Sequence, residues 1–172
     1  MEARKKRVIF LCTHNSSRSQ MAEGFLRHHG GKRFEVFSAG IIPSRVHAMA
    51  VEVMEERRID ITGHRSKSVD EFLGQSFNYI VTTCDDARNG CPVFPGSGKR
   101  LHWGLEDPAA VRGSKRERLK VFSAGTGRSR RTDSFTFAVR FWAKMMGIRS
   151  KGTRIAYKEV DQTRRSIKLP YQ

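Results

Sequence analysis

Residues 8–19 read VIFLCTHNSSRS, and this stretch decides how the chain folds. Its first four residues are apolar without interruption, which predicts a buried parallel strand over residues 8–11. A polar loop follows, and residues 20–29 then carry apolar side chains at helical spacing. A strand that runs through a short loop directly into a helix forms an anion-binding cradle, because the loop amides and the helix dipole face the same point.

Cys12 and Arg18 are the candidate catalytic residues of this cradle. The Arg18 guanidinium can hold a tetrahedral anion through two parallel hydrogen bonds, and the positive field favours Cys12 as a thiolate nucleophile. Ser19 lies at the start of the helix, where it can cap the first turn and donate to the sulfur. The alternative is that Cys12 is a small buried hydrophobic residue. The loop residues expected to contact the anion are Thr13, His14, Asn15, Ser16, Ser17 and Arg18.

Further strands and helices alternate along the chain. Strands are predicted at 34–38, 79–83 and 100–103, and helices at 48–57, 68–73 and 114–122. Ser68 with Glu71 three residues later is a capping-box pattern. This alternation predicts an α/β fold with a doubly wound, parallel, four-stranded sheet. Ligands of such sheets lie beyond the carboxyl ends of the strands, where Cys12 and Cys84 both fall, although the sequence leaves the strand order open.

Composition divides the chain of 172 residues in two. Most of the net charge of +16 lies after residue 111, where 17 lysines and arginines stand against 4 acidic residues. We therefore expect a catalytic domain over residues 1–122 and a basic C-terminal extension over residues 123–172, which is either an added segment or the product of a shifted reading frame. Its phenylalanines cluster instead of interleaving with the charges, so nucleic-acid binding is an unlikely main function.

Cysteine usage and apolar runs indicate the compartment. Three cysteines do not form a secreted disulfide framework, and no apolar run is long enough for a membrane span or a signal peptide. We therefore expect a cytoplasmic protein with no membrane partner.

Cys84 and Cys91 are separated by six residues that we predict to form a largely polar loop, which includes Asn89-Gly90. A segment of this length can fold back and close a disulfide when the two Cα atoms come within about 7 Å. Two unrelated loop thiols are the alternative. A zinc site is disfavoured because further ligands are missing at the usual spacing, so neither a metal nor a cofactor is expected. Three thiols near one anion site could pass oxidation along by thiol–disulfide exchange.

Asp107 precedes Pro108 in a loop that follows a predicted strand. An acid before proline is held extended and is often only a turn former. In an enzyme that joins a thiolate to an oxyanion, however, an acid is needed to protonate the departing oxygen. Asp107 is the best candidate for that task.

Together these motifs resemble the thioredoxin-coupled arsenate reductases, a family that shares its fold and anion loop with low-molecular-weight tyrosine phosphatases. The resemblance covers about residues 7–120 and rests on the 12–19 loop, Ser38-Ala39-Gly40, the Cys84/Cys91 pair and Asp107-Pro108. The anion loop alone would fit either activity, and the Cys84/Cys91 pair is what separates them. A tyrosine phosphatase that uses Cys12, Arg18 and Asp107 remains the alternative.

The resemblance implies a relay of three thiols. Arsenate would bind the loop and be attacked by Cys12 while Asp107 protonates the leaving oxygen. Cys84 would then attack Cys12, releasing arsenite, and Cys91 would resolve the resulting disulfide. The Cys84–Cys91 disulfide would finally be presented to thioredoxin by an outward movement of residues 85–90.

Two positions depart from the family pattern. His14 replaces a glycine common in the loop, and we expect it to face solvent. Some members of the family bind potassium through side chains that match Asn15, Glu23 and Ser38, but Lys67 stands where the remaining aspartate would be. An ammonium group there would replace the cation, so activity is expected to be insensitive to potassium.

Overall fold

A computed structural model describes residues 4–105 and 107–124 of the chain. Within these residues an all-parallel sheet has the strand order β2-β1-β3-β4. The strands are β1 (Lys6–Cys12), β2 (Phe34–Gly40), β3 (Tyr79–Thr82) and β4 (Lys99–His102). The predicted parallel sheet is therefore confirmed, and β1 lies in its interior.

Helices connect the strands and cover both faces of the sheet. They are α1 (Arg18–Gly30), α2 (Ala48–Glu55), α3 (Asp85–Asn89) and α4 (Lys115–Ala124), with a 3-10 helix at Val69–Phe72. Both hydrogen bonds of the predicted capping box of Ser68 and Glu71 are present at the start of the 3-10 helix. No helix among the described residues is long and apolar enough to cross a membrane.

Strand β1 is the centre of two separate cores. Val8 and Phe10 pack into a cluster with residues of α1 and α2 and with Phe122 of α4. Ile9 and Leu11 point to the opposite face, into a cluster built around phenylalanines of the 3-10 helix and the following loops. Both faces of the strand are thus covered, which explains why it reads as an uninterrupted apolar run rather than an alternating one.

Several element bounds differ from the prediction. The segment 85–90 was expected to be a polar loop, but α3 occupies Asp85–Asn89. That prediction is wrong because Asp85 and Asp86 suit a helix N-terminus and Ala87 is fully buried, which anchors one turn. Helix α4 continues to Ala124, two residues beyond its predicted end. The proposed extension at 123–172 lies almost entirely outside the described residues.

The register brings the carboxyl ends of the strands to one edge. Cys12 of β1 pairs with Gly40 of β2, and Leu11 pairs with Thr82 of β3. Because β1 and β3 are neighbours, the loop after Cys12 and the segment that begins at Cys84 start side by side. This adjacency depends on the strand order, which the sequence left open.

Candidate active site

The loop between β1 and α1 turns its carbonyl groups outward. The carbonyl oxygens of Cys12, Thr13, His14 and Ser16 accept hydrogen bonds from the amides of Ile41, Ile42, Ser44 and His47, at 2.8–3.3 Å. Since these carbonyls face the 41–47 segment, the loop amides are left to face the inside of the turn. The result is a concave set of N–H groups beside the N-terminus of α1, which suits a tetrahedral anion.

Gly40 permits this close packing of the loop on β2. A Cβ atom at position 40 would lie 2.8 Å from both the Asn15 nitrogen and the Thr13 carbonyl oxygen. Both neighbours are backbone atoms, which cannot move aside as a flexible side chain could. The glycine of the Ser38-Ala39-Gly40 motif is therefore required by the shape of the anion loop.

The Cys12 sulfur lies at the floor of the loop and is 2 % exposed. The Asn15 amide donates to it over 3.0 Å, and the Ser19 hydroxyl lies 2.9 Å away. Ser17, not Ser19, is the N-cap of α1, so Ser19 belongs to the first turn. Two hydrogen-bond donors and the N-terminus of α1 are therefore directed at the sulfur that the sequence predicts to be the nucleophile.

Asn15 fixes the direction of the hydrogen bond from Ser19. Its backbone is left-handed, with φ of 47°, a conformation that asparagine tolerates better than most residues. Its side-chain Nδ2 donates to Ser19 Oγ at 2.8 Å, while its Oδ1 accepts from the Lys67 amide at 2.8 Å. Because the Ser19 oxygen already accepts from Asn15, its hydrogen is free to point at the Cys12 sulfur.

The Asn15 side chain is linked onward to a buried ionic cluster. Its Nδ2 also donates to Ser38 Oγ at 2.9 Å, and Ser38 in turn donates to Glu23. The Lys67 ammonium lies 3.3 Å from Glu23 Oε2 and 3.1 Å from the Arg65 carbonyl oxygen. These residues do not fit a potassium site, because a side-chain cation already contacts the carboxylate that the metal would need.

We therefore expect catalytic turnover by the wild-type protein to be equal in potassium and sodium chloride at fixed ionic strength. The Lys67→Asp variant, which restores the family pattern, should instead be activated by potassium, because the ammonium no longer occupies Oε2 of Glu23, while Arg27 keeps its contact with Oε1. Steady-state rates in the two salts measure this. Strong potassium activation of the wild-type protein would contradict the assignment of Lys67.

Arg18 joins the anion loop to the segment that carries the candidate acid. Its Nη1 donates to the Leu105 carbonyl at 2.9 Å, and its Nη2 lies 3.3 Å from Asp107 Oδ2. Asp107 Oδ1 accepts from the Ala109 amide at 3.0 Å, which fixes the carboxyl group at the mouth of the loop. The predicted pair is thus brought together, and His14 is exposed as expected.

The second thiol lies against the anion loop. Cys84 is 6 % exposed and is the N-cap residue of α3. The Thr13 hydroxyl is 3.3 Å from the Cys84 sulfur, and Thr13 follows Cys12 directly in the chain. A single threonine therefore lies between the two cysteines of the predicted relay.

Cys91 is half-buried, and all three cysteines are free thiols. Burial raises the pKa of the Cys91 thiol, and the Arg100 guanidinium opposes this by lowering the pKa. Arg100 Nη1 donates to the Cys91 sulfur at 3.2 Å.

Contacts made by three residues of the site were not predicted from the sequence. Gln20 donates to both oxygens of Asn15 and to the Arg65 carbonyl, Thr13 contacts Cys84, and Arg100 contacts Cys91. Gln20 is a fully buried polar residue. Its position directly after Ser19 was the one feature of the sequence that could have indicated a role in the site. The other two contacts join segments that are distant in the chain and carry no local pattern.

The chain is similar to proteins of known classification. The family model of the low molecular weight phosphotyrosine protein phosphatases matches residues 7–124. An arsenate reductase of Staphylococcus xylosus is 44 % identical over 116 residues, which are 67 % of this chain and 88 % of the relative.

The chain is also similar to solved structures of arsenate reductases. An arsenate reductase in its oxidized state matches with a TM-score of 0.66 and 33 % identity, over 81 % of this chain and 98 % of the other. A thioredoxin-dependent arsenate reductase of Corynebacterium glutamicum matches with a TM-score of 0.59 and 26 % identity, over 86 % of this chain and 65 % of the other.

Proposed function

The chain belongs to the low molecular weight phosphotyrosine protein phosphatase family, and we propose that within it the protein is an arsenate reductase that is regenerated by thioredoxin. Arsenate is a tetrahedral oxyanion of the kind that the amides of the 12–18 loop and the Arg18 guanidinium are suited to bind. The observation that carries the proposal is the Thr13–Cys84 contact, which places a second thiol at the wall of the anion loop. A phosphatase has no use for a thiol at that position.

The first step joins sulfur to arsenic. The Cys12 thiolate attacks the arsenic atom, an As–S bond forms, and one As–O bond breaks. Asp107 gives its proton to the departing oxygen, which leaves as water. Arg18 contacts Asp107 in the structure. One guanidinium therefore orients the acid at the mouth of the anion loop, where the anion also binds.

The second step reduces the arsenic. The Cys84 thiolate attacks the Cys12 sulfur, an S–S bond forms, and the electron pair of the As–S bond stays on arsenic, which leaves as arsenite. The Cys84 sulfur starts this step 3.3 Å from the hydroxyl of Thr13, the residue that follows Cys12. Cys91 then resolves the Cys12–Cys84 disulfide, and thioredoxin reduces the Cys84–Cys91 disulfide that results.

Phosphotyrosine hydrolysis is the second candidate function. It is favoured by the same loop, by Arg18 and by Asp107, all of which would serve phosphoryl transfer equally well. Under the present proposal it is a side activity that uses Cys12 but neither of the other two thiols.

The test is arsenite release by the wild-type protein with thioredoxin, thioredoxin reductase and NADPH, beside hydrolysis of p-nitrophenyl phosphate. We expect arsenate-dependent NADPH oxidation that requires thioredoxin, and phosphatase turnover that does not. A parallel reaction with glutathione and glutaredoxin controls for the choice of reductant. Strong phosphatase turnover without any arsenate-dependent NADPH oxidation would overturn the proposal in favour of the second candidate.

A further inference from the structure

Arg100 of β4 holds the Cys91 segment at two atoms. Its Nη1 donates to the Cys91 sulfur at 3.2 Å, and its Nη2 donates to the Pro92 carbonyl oxygen at 3.4 Å. The Cys91 thiol lies 3.5 Å from the same carbonyl oxygen, to which it donates. The guanidinium therefore approaches the sulfur on its lone-pair side, while the thiol hydrogen points elsewhere.

Strand β4 contacts the thiol-bearing segment at a second point. His102 Nε2, two residues after Arg100, lies 3.1 Å from Asp85 Oδ1 at the start of α3. Arg100 itself pairs in register with Ile80 of β3, in the middle of the short strand. The guanidinium is consequently carried by the rigid sheet, while the segment it contacts has to rearrange during the predicted relay.

We propose that Arg100 is a catalytic residue of the resolving step, in which its guanidinium stabilises the Cys91 sulfur as a thiolate. The inference rests on the proposed thiol relay. Among the described residues, Arg100 is the charged side chain that acts on Cys91, and its effect on the pKa of that thiol is opposite to the effect of burial. An arginine remains charged throughout the working range of pH, so the stabilisation does not titrate away.

The step that Arg100 serves exchanges one disulfide for another. The Cys91 thiolate attacks the Cys84 sulfur of the Cys12–Cys84 disulfide, a Cys84–Cys91 bond forms, and Cys12 leaves as a thiolate. No net oxidation occurs, and the negative charge moves from Cys91 to Cys12. Cys12 receives it beside the Asn15 amide and the Ser19 hydroxyl, which makes it a good leaving group.

The size of the effect follows from the chemistry of thiolates. For each unit by which the pKa of a thiol rises above the ambient pH, its thiolate fraction falls tenfold while its intrinsic nucleophilicity rises about threefold. The net loss is about threefold in rate per unit at neutral pH. At a pH above the pKa of the variant this loss disappears, so the proposal predicts a pH-dependent defect and not a uniform one.

The first test is alkylation of Cys91 by iodoacetamide as a function of pH, followed by mass spectrometry of the peptide that contains it. The Arg100→Met variant should reach half-maximal reactivity at a higher pH than the wild-type protein, and Arg100→Lys should restore most of the difference. Lys32→Met, which removes a positive charge from an exposed turn before β2, is the matched control and should leave the profile unchanged. Identical profiles for wild type and Arg100→Met would overturn the proposal.

The second test follows a single turnover with arsenate and no reductant, quenched with acid at intervals. The Cys12–Cys84 disulfide should accumulate in Arg100→Met near neutral pH and convert at no less than the wild-type rate at high pH, where both thiols are ionised. Cys91→Ser separates this inference from the proposed function. If Cys91→Ser never forms a Cys12–Cys84 disulfide, the relay itself is wrong. If it does, and Arg100→Met resolves that disulfide at the wild-type rate at every pH, only the assignment of Arg100 fails.

Discussion

Replacement of Cys12 by serine should abolish both arsenate reduction and phosphatase turnover, with a loss of at least about 10⁴-fold in each. Serine keeps the shape of the residue but is not ionised at the floor of the loop, so the attack on the anion has no nucleophile. Serine also cannot form the disulfide with Cys84 whose formation reduces the arsenic. The Asn15 amide and the Ser19 hydroxyl, which contact the sulfur in the wild-type protein, can still contact a serine oxygen. Steady-state rates on both substrates measure the loss.

The Cys12→Ser variant should still fold and bind an oxyanion. The side chain is buried but nearly isosteric with serine, so thermal unfolding should change little. Stabilisation of the variant by phosphate in a thermal melt is the matched control, because the loop amides and Arg18 remain. Residual arsenate turnover within tenfold of the wild type would show that Cys12 is a buried structural residue.

Replacement of Cys91 by serine should have the second large effect, and it should be selective. The variant is expected to release one equivalent of arsenite per chain and then stop, because the Cys12–Cys84 disulfide has no resolving thiol. Hydrolysis of p-nitrophenyl phosphate by the reduced variant should stay at the wild-type rate, since the hydrogen bonds of Cys91 join it to Pro92 and Arg100, which have no part in the predicted phosphoryl transfer. Rapid-quench measurement of arsenite against time gives both the burst and the stall.

The selectivity of this variant separates the two candidate functions. A reductase that depends on the relay loses multiple turnover and keeps phosphatase activity. If Cys91→Ser turns over arsenate repeatedly with thioredoxin, the relay is wrong and Cys91 is a loop thiol without a role in the chemistry.

The sequence was most informative where the chemistry is local. The strand–loop–helix at residues 8–19 and the capping box at Ser68 could be predicted because adjacent residues determine them. The strand order could not, since it depends on which apolar strands meet across the core. That order is what places Cys84 next to the loop of Cys12.

The errors and omissions have physical causes as well. Helix α3 was missed because four of its five residues are polar and its two aspartates and one asparagine are weak helix formers, which the tertiary burial of Ala87 outweighs. Arg100 falls in a predicted strand without any local pattern that marks it, and only the folded chain shows the thiol that it contacts. Lys67 is the opposite case, because a single unexpected residue in a family pattern correctly pointed to the ammonium beside Glu23.

The basic extension over residues 123–172 stays a prediction. The family match ends at residue 124, close to the predicted boundary at 122, and the charge imbalance begins shortly before it. Neither the fold of the extension nor a role in binding phosphate backbones follows from the described residues.

The central claim is that oxidation passes from Cys12 through Cys84 to Cys91. The most direct measurement is to add one equivalent of arsenate to the reduced wild-type protein without any reductant, and to map disulfides by peptide mass spectrometry after acid quenching. The account predicts one arsenite per chain and a Cys84–Cys91 disulfide, with Cys12 recovered as a free thiol. Arsenite released with no disulfide between Cys84 and Cys91, or with Cys12 remaining oxidised in the wild-type protein, would contradict it.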